Sequence, residues 1–445
     1  DGRMKKTHSI ILAFAIAIII SSQTLFAQSP AQPGSEEVIV SIDATSSPVI
    51  LPNVFSANID LSGRGSQEQV TWPQSVASEQ AIEAWRKEEG FGGLYRMQYN
   101  LWEIAQLDKD PAAQEKLKQN YEKIIKKVTE SGGTVILTFF GTPAGMGKVL
   151  DKKSTPGDLR KFKTLIKQTI RELSCVKRFN IWYEVWTAPD LDDFYLGRRQ
   201  EYFSMYRAIA ECIEELKNET KVYIPLGGPS VSWWFQSIEG NTVLTPERSL
   251  IYDLIKFCYH YRLPLDFISW HAYSTDPRAE KEVTRYKKNS VQLIRDWLSY
   301  FQFHNNVALI VDEWNFDRDA NVLPERKEKS YISASYIPAR LWHMYEAGID
   351  KQVFFSLEDF YNDAEGVVRN VGVFYYEPVS EEYKGGSKAS LLVFKMLESL
   401  GHEMYSLKNK DEFVGVIPTK TKEGYRVLIY NYIDPDIVNA YLNKT

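Results

Sequence analysis

Cysteine is scarce in this sequence, three in 445 residues. Cys175, Cys212 and Cys258 leave at least one thiol unpaired and none has metal-site spacing, so neither a disulfide framework nor a metal centre is read from them. Positive charge is also short: 53 Lys and Arg against 58 Asp and Glu leave a net charge of -5. That balance supplies no basic face for nucleic acid, and an uncharged or mildly polar ligand fits it better. After the first 27 residues no stretch is apolar for long enough to span a membrane. No internal repeat occurs beyond the alternation of elements described below, and no cofactor is expected.

What is present begins with a leader. Lys5 and Lys6 precede the apolar run Ile10 to Ile20, then come Ser21-Ser22-Gln23 and Leu25-Phe26-Ala27 before Gln28. This order predicts a signal peptide over 4–27, starting at Met4, with Asp1-Gly2-Arg3 an upstream artefact. The run is shorter than the roughly 20 apolar residues of a spanning helix, and a signal anchor is the alternative. The mature chain is therefore expected to be secreted or periplasmic. A Pro, Ser, Gly and Gln linker follows over 28–35. With 44% hydrophobic and 25% charged residues, the remainder can bury one large core plus a smaller one. Aromatic content of 13%, with 11 Trp and 26 Tyr, suggests flat rings lining a cleft, where sugar rings bind.

Val38 to Ile42 reads as a strand of a small accessory β domain, placed over 36–45. From there the chain alternates. Strand candidates are Val54 to Ile59, Leu94 to Tyr99, Thr134 to Phe140, Asn180 to Trp186, Val222 to Leu226, Phe267 to Tyr273, Val307 to Glu313 and Gln352 to Leu357. Helix-like stretches separate them, with Thr155-Pro156 and Thr245-Pro246 as start signals, each a capping hydroxyl before a Pro. Eight such units predict the α/β class and a closed (β/α)8 barrel of the TIM type over 46–385. Beyond 386 the pattern gives one more helix, Lys388 to Leu400. Phe413 to Pro418 and Tyr425 to Tyr432 then alternate like antiparallel strands, in an accessory domain that reads as truncated at Thr445.

The seventh candidate carries the most chemistry. Val307 to Val311 is an unbroken apolar run, as in a strand buried on both faces, and Asp312-Glu313-Trp314-Asn315 follows where it ends. Reacting groups of such barrels sit at the carboxyl ends of strands, which makes Glu313 a candidate. The bland alternative is a strand-end Glu satisfied by Arg or Lys. Other strand ends add Arg96, His271 and Tyr273, a set that can hold a carboxylate ionised and oriented. His271 alone would read as an ordinary hydrogen-bonded core residue.

Tyr183-Glu184-Val185-Trp186 with Pro189-Asp190-Leu191, Phe267-Ile268-Ser269-Trp270-His271-Ala272-Tyr273 and Asp312-Glu313-Trp314-Asn315 together resemble the clan A glycoside hydrolases, most closely the family 39 type of β-xylosidase and exopolysaccharide glycosidase. The resemblance implies a retaining mechanism on a carbohydrate substrate, with no cofactor or metal and the nucleophile at Glu313. It places Arg96, His271 and Tyr273 at substrate-binding positions. One departure stands out. Where the family has Asn-Glu-Pro, this chain has Thr187-Ala188-Pro189, so the acid/base position is Ala188 and the sugar-binding Asn position is Thr187. Phe354 stands near where a sugar-stacking Trp is usual. Trp186, Trp233, Trp234, Trp270 and Trp314 are the candidate platforms. Glu184 lies too far down its strand to replace the lost acid, and Asp190, Asp192, Asp193, Asp276, Glu358 and Asp359 are further candidates. The two functions left open are a retaining glycosidase acting on a poly- or oligosaccharide and a catalytically impaired barrel that binds glycans.

Overall fold

The computed structural model describes residues 38–62, 76–240, 245–303, 306–316, 330–362, 367–369, 371–375, 387–411 and 414–434. The expected leader over 4–27, the linker over 28–35, the boundary at 386 and the end at Thr445 lie outside them. The chain has two compact units, Asp1–Val40 and Ser41–Thr445. In the first only 38–40 are described, and they form no strand. The second holds the barrel, the four-stranded sheet and a two-stranded hairpin.

Its first strand, β1 (Val49–Ile50), belongs to a small antiparallel sheet. The next eight are β2 (Ile59–Asp60), β3 (Leu94–Asn100), β4 (Thr134–Phe140), β5 (Ile181–Val185), β6 (Leu226–Val231), β7 (Phe267–Tyr273), β8 (Ala308–Asn315) and β9 (Lys351–Phe354). They pair in parallel in chain order, and Ile59 opposite Phe354 closes the barrel. A short hairpin, β10 (Phe360–Asn362) with β11 (Val367–Arg369), follows. The small sheet is completed by β12 (Glu403–Met404), β13 (Val414–Thr421) and β14 (Gly424–Asn431), in the order β1-β12-β13-β14. The (β/α)8 barrel with a β-rich accessory sheet is the observed architecture. No helix among the described residues is long and apolar enough to cross a membrane.

Several local expectations are corrected. Val38 to Ile42 is not a strand: only Ile42 bridges, to Leu407, and the accessory sheet takes Val49–Ile50 instead. Pairing stops on both sides: Ser41 N–H donates to the Asn409 side chain instead of a backbone carbonyl, and after Ile42 Asp43 accepts from Thr45 N–H and hydroxyl and its carbonyl from Ser46, a turn. The stretch from Val54 opens with a single 3-10 turn, Asn53–Phe55, whose Val54 and Phe55 are buried. Val222 to Leu226 precedes the true strand, Leu226–Val231, whose sequence Leu-Gly-Gly-Pro-Ser-Val has little strand propensity. Close packing explains the first glycine: a Cβ on Gly227 would lie 2.4 Å from the Phe267 carbonyl oxygen. The helix expected at Thr155-Pro156 starts later, at Leu159, capped by Asp158; Thr245-Pro246 opens only a 3-10 turn, and Ser249 caps Leu250–Tyr261.

Strand periodicity divides the barrel interior into layers. Leu94, Ile136, Phe267, Ile310 and Val353 form one apolar cluster with Trp182 and Ala308 packed on it. Two residues further along the same strands stand Arg96, Thr138, Glu184, Ser269 and Asp312, all fully buried and polar. Side chains two apart share a face, so an apolar floor carries a polar layer directly above it.

Candidate active site

Arg96 organises that polar layer. Its Nε donates to Glu184 Oε2 at 3.0 Å, its Nη1 to Glu313 Oε2 at 3.0 Å and to Asp60 Oδ2 at 3.2 Å. Its Nη2 donates to Thr187 Oγ1 at 3.0 Å and Ser230 Oγ at 3.1 Å, and Asp312 Oδ2 lies 3.4 Å from Nε. Burial opposes the guanidinium charge, but Glu184, Asp312, Glu313 and Asp60 outweigh it and hold it charged. Four carboxyl groups around one fixed cation cannot all ionise cheaply. Burial and the Glu184 carboxylate push Asp312 well above the usual carboxylate range. Burial also lifts Asp60 to about 6, with Arg96 opposing and the Glu313 charge adding to the rise.

Glu313 lies at the mouth with 7% of its surface exposed. Tyr273 Oη donates to its Oε1 at 2.6 Å, and His271 Nε2 lies 3.5 Å from its Oε2. Adjacent residues on a regular strand face opposite sides, yet both Asp312 and Glu313 reach Arg96. The register explains this: Trp270 is opposite Val311 and His271 opposite Glu313, so Asp312 is an extra residue at a bulge in β8. The structure thus brings together Arg96, Thr187, His271, Tyr273 and Glu313.

Ala188 follows the end of β5, at the same end of the parallel barrel as Glu313. It is buried, its backbone is left-handed with φ 41°, and its N–H donates to the Ser230 carbonyl at 2.7 Å. Of the carboxylates singled out in the sequence, all but Asp192 and Asp193 are engaged. Glu184 is enclosed by Arg96, Thr138 Oγ1 (2.6 Å) and Ser269 Oγ (2.8 Å). Asp190 takes the backbone N–H and hydroxyl of Ser232, Glu358 those of Ser78, and Asp359 pairs with Lys388. Asp276 pairs with Arg278 and Lys281, while Asp192 and Asp193 face solvent.

The aromatic expectation is corrected. Trp314 has no exposed surface; its indole N–H donates to Gln352 Oε1 at 2.7 Å and its ring meets Phe354 edge-on. Trp186 is buried against Phe140 and Tyr195, with its N–H on the Phe194 carbonyl. Trp270, Trp234 and Phe354 are buried too, and only Trp233 keeps part of its surface. Alternation puts Trp270 and Trp314 on the outer face of their strands, where they fill the space under the helices. Sequence reasoning also missed Ser230, Asp60 and the pairing role of Asp312. The one available signal was Gly227-Gly228-Pro229 before Ser230, a run that marks a broken strand.

Comparison with known proteins agrees with this geometry. The sequence profile of the glycosyl hydrolases family 39 matches residues 141–433, a span containing Ala188, His271, Tyr273 and Glu313. Over 96 residues the chain is 34% identical to a β-xylosidase of Caldicellulosiruptor saccharolyticus, covering 21% of this chain and 16% of that protein. Over 138 residues it is 28% identical to a β-xylosidase of Geobacillus stearothermophilus, covering 29% and 24%. These matches thus span less than a quarter of either relative. A glucosidase structure from Croceicoccus marinus aligns with TM-score 0.60 and 18% identity over 89% of this chain and 77% of that one. A monomeric β-xylosidase from Caulobacter crescentus aligns with TM-score 0.59 and 16% identity over 86% and 77%. At such identities the structures speak for the fold, and the family follows from the profile: a closed barrel with Glu313, Tyr273 and His271 at one mouth, matched over most of its length, belongs to the glycosyl hydrolases family 39.

Proposed function

We propose that this chain is an exported glycosidase of the retaining type that attacks the anomeric carbon with Glu313. One observation carries the reading: the Glu313 carboxylate receives Arg96 Nη1–H at 3.0 Å and Tyr273 O–H at 2.6 Å, which leaves it ionised and fixed in direction. A nucleophile needs both properties. A retaining site places its second carboxyl group about 5–5.5 Å from the first, to protonate the leaving oxygen and then activate water. By the family resemblance that position falls to Ala188. The substrates that suit this site are glycosides of a poly- or oligosaccharide-derived sugar whose leaving group departs without a proton. Export rests on the leader read in residues 4–27.

The relatives' names make xylosides the first probes. Incubation with 2,4-dinitrophenyl 2-deoxy-2-fluoro-β-D-xyloside, and with the matching glucoside, should add one sugar to the intact protein, located on Glu313 by peptide mass spectrometry. A second reading, a barrel that binds glycans without turnover, is favoured by the engagement of Glu184, Asp190, Asp276, Glu358 and Asp359 with other partners. Tight oligosaccharide binding with no trapped sugar on any probe would decide for it.

A further inference from the structure

Two strands of this barrel carry an extra residue, and the two extra residues meet. In β6 and β7, Pro229 is opposite Ser269 and Val231 opposite Trp270, so Ser230 is the unpaired residue. Its φ of 54° is left-handed, a conformation that costs a non-glycine residue about 1 kcal/mol. In β8 the extra residue is Asp312. The bulges flank β7, and between them Ser230 Oγ donates to Asp312 Oδ2 at 2.6 Å. The same Oγ lies 3.0 Å from His271 Nε2 and 3.1 Å from Arg96 Nη2. All of Ser230 and Asp312 is buried.

With Ser230 as the donor to Asp312, proton counting sets the other two bonds of the hydroxyl. A hydroxyl has one proton and can accept two. Ser230 gives its proton to Asp312, and Arg96 can only donate. His271 must therefore present Nε2–H to Ser230, and that N–H also faces Glu313 Oε2 at 3.5 Å. The other groups facing the cluster are engaged elsewhere: the Glu184 carboxylate lies beside Asp312, and Asp60 and Tyr273 bond Arg96 and Glu313 respectively.

We propose that Ser230 and Asp312 are positioning residues, set by paired bulges, that fix the proton of His271 on Nε2 and hold Arg96 and His271 against Glu313. This rests on the glycosidase reading only for its consequence on rate. Backbone strain kept at a buried hydroxyl is otherwise unexplained, since glycine would adopt the same bulge without cost.

The experiment uses the full chain carrying 15N-labelled histidine, with the His271 ring signals identified by their loss in His271→Gln. Wild type should show Nε2 protonated across about pH 6 to 8, whatever the state of Nδ1. Ser230→Gly, which suits the left-handed backbone, should lose that signal while keeping the thermal midpoint, and trapping of the fluoroxyloside should slow by about tenfold or more. Asp312→Asn, which still offers an oxygen to Ser230 and an N–H to Glu184, should keep the Nε2–H signal, whereas Asp312→Leu should lose it. A neutral His271 with its proton on Nδ1, or Ser230→Gly trapping as fast as wild type, would overturn the proposal. Absence of trapping in wild type strikes the glycosidase reading instead, and the nitrogen spectra of wild type and Ser230→Gly then decide this inference alone.

Discussion

Replacing Asp60 by Asn tests the electrostatics of the polar layer through stability alone. Asp60 is fully buried, accepts from Ser62 N–H at 2.8 Å and from Arg96, and has its carboxyl raised from 3.8 to about 6, first by burial. A folded-state value above the unfolded one means that the native protein favours the neutral acid. The associated stability is fully present below about pH 4 and lost as pH rises through about 6. At about 1.36 kcal/mol per unit, the loss comes to about 3 kcal/mol. Asn keeps the shape and cannot ionise. The stability difference between Asp60→Asn and wild type should therefore grow by about 3 kcal/mol, in favour of the variant, between about pH 4 and 7.5. Urea midpoints at four pH values, read by tryptophan fluorescence, measure it. A difference that stays constant across that range, or moves the other way, refutes the reasoning. Because the Glu313 charge contributes to the rise, Glu313→Gln should move the Asp60 window to lower pH.

The missing acid makes a second expectation: azide, which needs no base, should accelerate turnover of 2,4-dinitrophenyl glycosides and leave a glycosyl azide of retained configuration, seen by NMR. Thr187→Asn with Ala188→Glu should raise activity on glycosides with alkoxide leaving groups by about 10²–10⁴-fold and remove the response to azide. Glu313→Gln should abolish both activities, measured as release of dinitrophenolate. Away from the site, Arg340 is buried and paired with Glu280, so Arg340→Met should lower stability by about 3–5 kcal/mol, read as a fall in thermal midpoint.

Much of the fold was legible because period and length agree in this chain. Thr134–Phe140 and Phe267–Tyr273 fall at the expected residues since each is rich in β-branched and aromatic residues and lies between clear helices. Leu226–Val231 was missed because Gly, Gly, Pro and Ser carry no strand preference; the barrel imposes extension there through neighbours on both sides. Val38 to Ile42 failed for the opposite reason. Its residues favour a strand, but the Asn409 side chain takes the Ser41 N–H and the turn at Asp43 follows, which leaves Ile42 with a single bridge.

The site divides along the same line. His271, Tyr273 and Glu313 could be found because they stand toward the carboxyl ends of strongly patterned strands, and Arg96 because a charged residue inside the apolar and aromatic run of β3 stands out. The aromatic platforms could not, because a Trp at a strand end reads alike whether its ring faces sugar or the helices outside, and one residue of register decides between them. That same one-residue shift makes the site work. Without the extra residue in β8, alternation would let either Asp312 or Glu313 face Arg96, never both; without the one in β6, the Ser230 hydroxyl would turn away from His271. A bulge leaves almost no mark in a sequence beyond a Gly-Gly-Pro run or a pair of adjacent acids. Removing one should therefore be more damaging than removing a side chain: deletion of Ser230 would put Val231 in its place and leave Asp312, Arg96 and His271 without their shared oxygen.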